Sequence, residues 1–136
     1  MARITKLEYE NLAAFRYSLR KFQHFSEEAA RSAGLTPQQH QALLSIKGSP
    51  GRDKITVKEL AEQMQIRHHS AVGLVDRLAV QDLIAREHSH ADRREVNLML
   101  TEKGLAILER LSTIHKEELR RTLPELQKLI EQLSKV

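Results

Sequence analysis

Apolar residues recur along residues 4–33 at Ile4, Leu7, Leu12, Phe15, Leu19, Phe22, Ala29 and Ala33, mostly three or four apart, the spacing of one helical face. The pattern predicts a long amphipathic helix. Gly34 suits a left-handed cap behind it. Thr36 and Gln39 match a capping box, and Pro37 takes the first position of a short second helix carrying Leu43, Leu44 and Ile46. Residues 47–54, KGSPGRDK, read as loop, because glycine and proline punctuate them densely. Thr56 and Glu59 repeat the box ahead of a third helix that starts at about Val57 and turns Leu60, Ala61 and Met64 inward. After a break near Gln65 to Arg67, Ala71, Leu74, Val75 and Leu78 fall at i, i+3, i+4 and i+7 and predict a fourth helix.

The period then changes. In EVNLMLT, Val96, Leu98 and Leu100 alternate with Glu95, Asn97 and Met99, and LIAREH precedes them across a polar stretch, so a hairpin is expected with its tip at Ser89 to Arg94. Thr101 can cap a fifth helix bearing Leu105, Leu108, Leu111, Ile114 and Leu119. Pro124 is expected to end it, leaving a sixth helix with Leu126, Ile130 and Leu133. Two short helices joined by a tight turn form a helix-turn-helix, and a hairpin directly behind them makes it winged. The fold class is therefore mainly α with a small β-hairpin: a winged helix-turn-helix, six helices in all.

Composition narrows the chemistry. The chain has 136 residues, the size of one ordinary domain, and 22 Lys and Arg against 18 Asp and Glu give a net charge of +4, which permits an anionic partner without requiring one. No cysteine is present, so disulfides, thiolate zinc sites and thiol redox sensing are excluded. No apolar run reaches the length of a membrane span, and the start MARITKLEYENLAAF is too polar for a secretory signal, so a soluble, cytoplasmic protein is expected. No glycine-rich phosphate loop, serine elbow or paired ligand motif occurs, and an enzyme is not expected.

A winged helix suits duplex DNA, because an α-helix fits the major groove while an extended arm reaches the minor groove. On the fourth helix, His69, Gly73 and Asp76 fall roughly opposite the apolar face, with Val72 and Arg77 on its flanks, and the exposed first turn is Arg67, His68, His69 and Ser70. Gly73 is costly in a helix interior and has two readings, close approach to a DNA backbone or tight helix packing. At the tip, Arg94 is the candidate for minor-groove insertion, with Asp92 setting its direction, and Arg93 and His90 lie beside it where phosphate could be contacted. A solvated turn is the competing reading of DRR taken alone.

ELAEQMQI, LVDRL, LIARE and DRREVNLMLTEKG, in this order and without a gap from Thr56 to Gly104, resemble the multiple-antibiotic-resistance regulator (MarR) family of winged-helix repressors. The long flanking helices agree in order and length, so the resemblance covers nearly the whole chain. It implies an intertwined homodimer built by dimerisation helices in 1–48 and 102–136, with a DNA-binding lobe in 55–101. Two such lobes would read successive half-sites of a pseudo-palindromic operator. It also implies a small aromatic or phenolic acid effector, held where the first, second and fifth helices meet, for which Phe15, Arg16, Leu19 and His40 are the candidates and Arg16 would pair a carboxylate. Three departures stand out. Arg67 replaces the usual Ser or Thr cap of the recognition helix, and Gly73 replaces a polar or basic residue. Asp82 stands where glycine is common, although it tolerates left-handed backbone better than most residues.

Independently of the family, the apolar stripes of the first and last helices exceed what so small a winged core needs, and either a second chain or intrachain packing must cover them. The seven histidines offer one close pair outside the fourth helix, His88 and His90, with no third ligand beside it, so no metal and no cofactor are expected. Protonation of His68, His69, His88 or His90 beside phosphates would tighten DNA binding at acid pH. The alternatives kept open are a winged protein-interaction module and a metal-responsive regulator.

Overall fold

A computed structural model describes residues 3–89, 91–92 and 94–135. Its elements are α1 (Lys6–Ser32), α2 (Pro37–Lys47), β1 (Lys54–Thr56), α3 (Val57–Met64), α4 (His68–Val80), β2 (Ile84–His88), β3 (Val96–Leu100) and α5 (Glu102–Ser134). The capping chemistry sets most boundaries. Thr36 and Gln39 close one reciprocal box at α2 and Thr56 and Glu59 another at α3, as the sequence predicts, and Thr5 and Glu8 form a third at α1. Each satisfies backbone donors that the first helical turn leaves without partners. Gly34 takes φ +82° just past α1.

The described residues hold five helices, not six, because α5 runs unbroken through Pro124. The proline cannot donate to the Arg120 carbonyl, and an interior proline costs about 3 kcal/mol. Arg120 and Pro124 both lie on the exposed side, where water can serve that carbonyl. Leu129 beyond the proline stays buried, with Leu126 and Leu133 half-buried, so packing holds the far half in line.

The second departure is β1. Read as the end of a loop, Lys54 begins a three-residue strand pairing antiparallel with β3, Ile55 opposite Leu98, and the sheet order is β1-β3-β2. The predicted hairpin pairs Ile84 with Leu100 through His88 with Val96. Its turn is closed by Ser89 N–H donating to the Glu95 carbonyl (3.0 Å).

The core gathers Leu43 and Ile46 of α2, Ile55 of β1, Leu60 of α3, Leu74 and Leu78 of α4, Leu98 of β3 and Leu111 of α5. One joint ties the winged lobe to α5. Asp82 adopts φ +59°, the left-handed turn between α4 and β2 that the sequence reading expects it to tolerate. Thr101 Oγ1 donates to the Asp82 carbonyl (2.6 Å) and accepts from Gly104 N–H (3.0 Å), while Lys103 Nζ donates to the Gln81 carbonyl (2.9 Å). Gly104 is buried against Leu83, whose carbonyl oxygen would stand 2.1 Å from any added Cβ. No helix among the described residues is long and apolar enough to cross a membrane.

Candidate nucleic-acid interface

Gln65 ends α3 in the left-handed region (φ 55°), and Ile66 N–H donates back to the Ala61 carbonyl (3.0 Å), so the chain reverses within three residues and presents the start of α4 outward. Arg67 occupies the N-cap of α4 but makes no side-chain cap bond. The amides of the first turn are therefore uncapped at a positive helix end, an arrangement that favours phosphate oxygens. Arg67, His68, His69 and Ser70 are all exposed there, and Arg77 is exposed two turns on.

The packing reading of Gly73 finds no support. A Cβ at that position would meet nothing closer than Arg77 Nη1 at 3.6 Å, an ordinary contact, and its backbone is helical.

The wing tip is organised around Asp92. Its Oδ1 accepts from the Arg94 backbone N–H (3.0 Å) and from Arg94 Nε (3.4 Å), and its carbonyl accepts from Glu95 N–H (3.0 Å). The Arg94 side chain remains 93% exposed, so the carboxylate aims the guanidinium without covering it. Asp76 of α4 pairs with Arg86 of β2, joining the recognition helix to the wing stem. His90 and Arg93, two of the predicted contacts, lie outside the described residues.

Helix and wing meet in one cleft of about 530 Å³ lined by Lys58, His68, Asp92, Arg94, Glu95 and Val96 together with the start of α3. Lys58, exposed two residues past the α3 cap, was not singled out from sequence. A lone lysine in a helix carries no local signal, and only the folding of the wing tip, with Arg94, onto the same cleft gives it cationic company. In the same region Arg52 and Glu59 pair, and this bond is the main cause that holds the Glu59 carboxyl below the usual carboxylate range.

Of the four effector candidates, His40 is buried, Phe15 is half-buried, and Arg16 and Leu19 are exposed on α1. A second cavity, about 380 Å³ and largely apolar, is lined by His40, Leu44, Phe22, His115 and Leu119, with Lys116 and Arg120 among its walls. Phe15, Arg16 and Leu19 do not line it. Sequence periodicity could not reveal this cavity, because its walls come from α1, α2 and α5, far apart along the chain.

His115 Nδ1–H donates to the Leu111 carbonyl (2.6 Å), and its Nε2 lies within hydrogen-bond distance of Ser26 Oγ (2.8 Å). The His40 ring lies 4.8 Å from that of His115, and His40 Nδ1 is buried with no hydrogen-bond partner among the described residues. Burial, with His115 adding to it, holds the His40 pKa below its ordinary 6.5. Because the folded pKa is the lower one, His40 contributes stability above about pH 6.5, and this is lost as pH falls toward the folded value. The loss should be about 1.4 kcal/mol for each unit separating the two pKa values. Urea unfolding at pH 7.5 and 5.5 should show a smaller acid loss for His40→Leu than for the parent chain. Equal losses would remove His40 as the cause.

The MarR family model matches residues 33–95. The chain is similar to the HTH-type transcriptional repressor MdtR of Bacillus subtilis (strain 168), 36% identical over 77 residues that make up 57% of this chain and 48% of that protein. The matches span about half the length of the curated relatives. The fold is that of a MarR family protein from Bacillus stearothermophilus, with TM-score 0.79 and 24% identity over 98% of this chain and 100% of that one. It is also that of MepR of S. aureus solved in a complex with DNA, with TM-score 0.73 and 20% identity over 96% and 92%.

Proposed function

We propose that the chain is a member of the MarR family, a reading supported by the family-model match to its winged lobe, and that it is a homodimeric, sequence-specific transcriptional regulator of the cytoplasm. It occupies a pseudo-palindromic promoter operator and represses by blocking polymerase access. One observation carries the reading: the open N-terminus of α4 and the aimed Arg94 border the same cleft, which Lys58 also lines. Bases are read by His68, His69 and Ser70 in the major groove, while Arg67, Arg77, Lys58 and the wing hold phosphates or the minor groove.

Pairing is supported by the apolar side chains that α1 and α5 leave exposed, among them Leu7 (63%), Leu12, Ile114, Leu123 and Ile130 (55%). A second copy of these helices is the cover with matching chemistry, and twofold symmetry then sets half-sites about 10 base pairs apart. The His40 cavity supports release by a small aromatic or phenolic acid, whose ring suits the apolar wall and whose carboxylate suits Lys116 or Arg120.

The test is selection of duplexes from a random pool, followed by titration of a labelled winner at rising salt. We expect a symmetric consensus, two chains per duplex, and log K falling by nearly one log[salt] unit for each phosphate neutralised. A winged module that binds protein would enrich no sequence. Adding a phenolic acid should lower affinity for the same duplex, and if it leaves affinity unchanged the effector half of the reading falls while the DNA half stands.

A further inference from the structure

We propose that Val72 reads the C5-methyl group of a thymine in the major groove, and that Gly73 is the clearance that lets it reach. The inference rests on α4 being the helix that enters DNA. Every other exposed side chain from residue 67 to 77 is polar, whereas Val72 is 38% exposed on the outer flank of α4. Residues 69, 72, 73 and 76 form one diamond on the helix surface, since they are spaced i, i+3 and i+4. Asp76 is the member of that diamond that would repel phosphates or base acceptors, and its carboxylate is engaged by Arg86 of β2. The surface left free for DNA is thus one imidazole, one pair of methyl groups and bare backbone.

Gly73 needs a reason, because glycine weakens a helix interior. The structure removes the internal ones: its φ is not positive, and no neighbour within 3.6 Å would be disturbed by a Cβ. The reason left is outside the chain, where a missing side chain lets the helix sit deeper in a groove. Among the four bases only thymine projects an apolar group into that groove, so a short, stiff, apolar side chain beside a gap matches it.

The experiment takes a duplex recovered from the random pool and replaces its thymines one at a time by deoxyuridine, which lacks only the methyl group. Anisotropy titrations at fixed salt should find one thymine per half-site whose replacement weakens binding about fourfold, the worth of one buried methyl. Val72→Ala should bind the thymine and deoxyuridine duplexes equally, while Gly73→Ala should bind both more weakly with its thermal midpoint unchanged or raised. Indifference to deoxyuridine at every position, or sensitivity that survives in Val72→Ala, overturns this inference and leaves DNA binding intact. A chain that enriches no duplex overturns the DNA reading itself, and this inference with it.

Discussion

Gly104→Ala should destabilise the fold by about 3 kcal/mol or more, the upper part of the range for forcing atoms into a packed site. The added Cβ would stand 2.1 Å from the Leu83 carbonyl oxygen and 3.0 Å from its carbon, and both are backbone atoms with no rotamer to escape into. Relief would require α5 to back away from the α4 to β2 turn, breaking the Thr101 and Lys103 bonds to Asp82 and Gln81. For a chain of this size, thermal unfolding should fall by roughly 10–15 °C. Gly73→Ala is the matched control, because the same methyl meets only ordinary contact there and helix propensity favours it by about 1 kcal/mol. Equal midpoints for Gly104→Ala and the parent would mean that the close approach of α5 to Leu83 is not a structural requirement.

Arg94→Ala should have the largest effect on DNA binding, roughly a hundredfold loss at low salt, since a charge-assisted contact contributes about 1.5 kcal/mol and the proposed dimer presents two. If each guanidinium neutralises one phosphate, the slope of log K against log[salt] should also shrink by about two. Folding should be untouched, because the side chain is 93% exposed and its partner among the described residues is Asp92 of the same turn. Asp92→Ala gives a graded companion: it keeps the charge but frees the Arg94 amide and Nε, so affinity should fall less while the salt slope stays. Anisotropy titrations of the three chains across salt decide the matter, and an Arg94→Ala chain that binds like the parent would place the wing away from DNA.

What could be read before the structure was what short-range chemistry writes into neighbouring residues. Thr36 with Gln39 and Thr56 with Glu59 each solve a local donor shortage, so the start of α2 and of α3 follow from four residues apiece. Asp82 was legible through the family resemblance instead, since glycine is common at that position and aspartate tolerates the left-handed backbone it adopts. Pro124 misled because its cost is local while its compensation is not: Leu129 is held by packing that no window of sequence displays. β1 was missed because a three-residue strand with one buried side chain, Ile55, has no period to detect. For the site, the exposed start of α4 and the Asp92 to Arg94 bond were foreseeable from spacing. Lys58 and the walls of the His40 cavity other than His40 itself were not, since their neighbours are brought by the wing tip and by α1 and α5.

The bonds from Thr101 and Lys103 to the turn after α4 also have a mechanical side. They clamp the winged lobe to the first turn of a 33-residue helix, so the lobe is carried like the head of a long handle. Twenty residues along such a handle is about 30 Å. A tilt of about 10° at that distance swings the head by about 5 Å, more than the roughly 3.4 Å between successive base pairs. In the proposed dimer, two heads on one double helix would have to keep their spacing within less than that, so a small pivot deep in the far half of α5 would be enough to put them out of step with the groove.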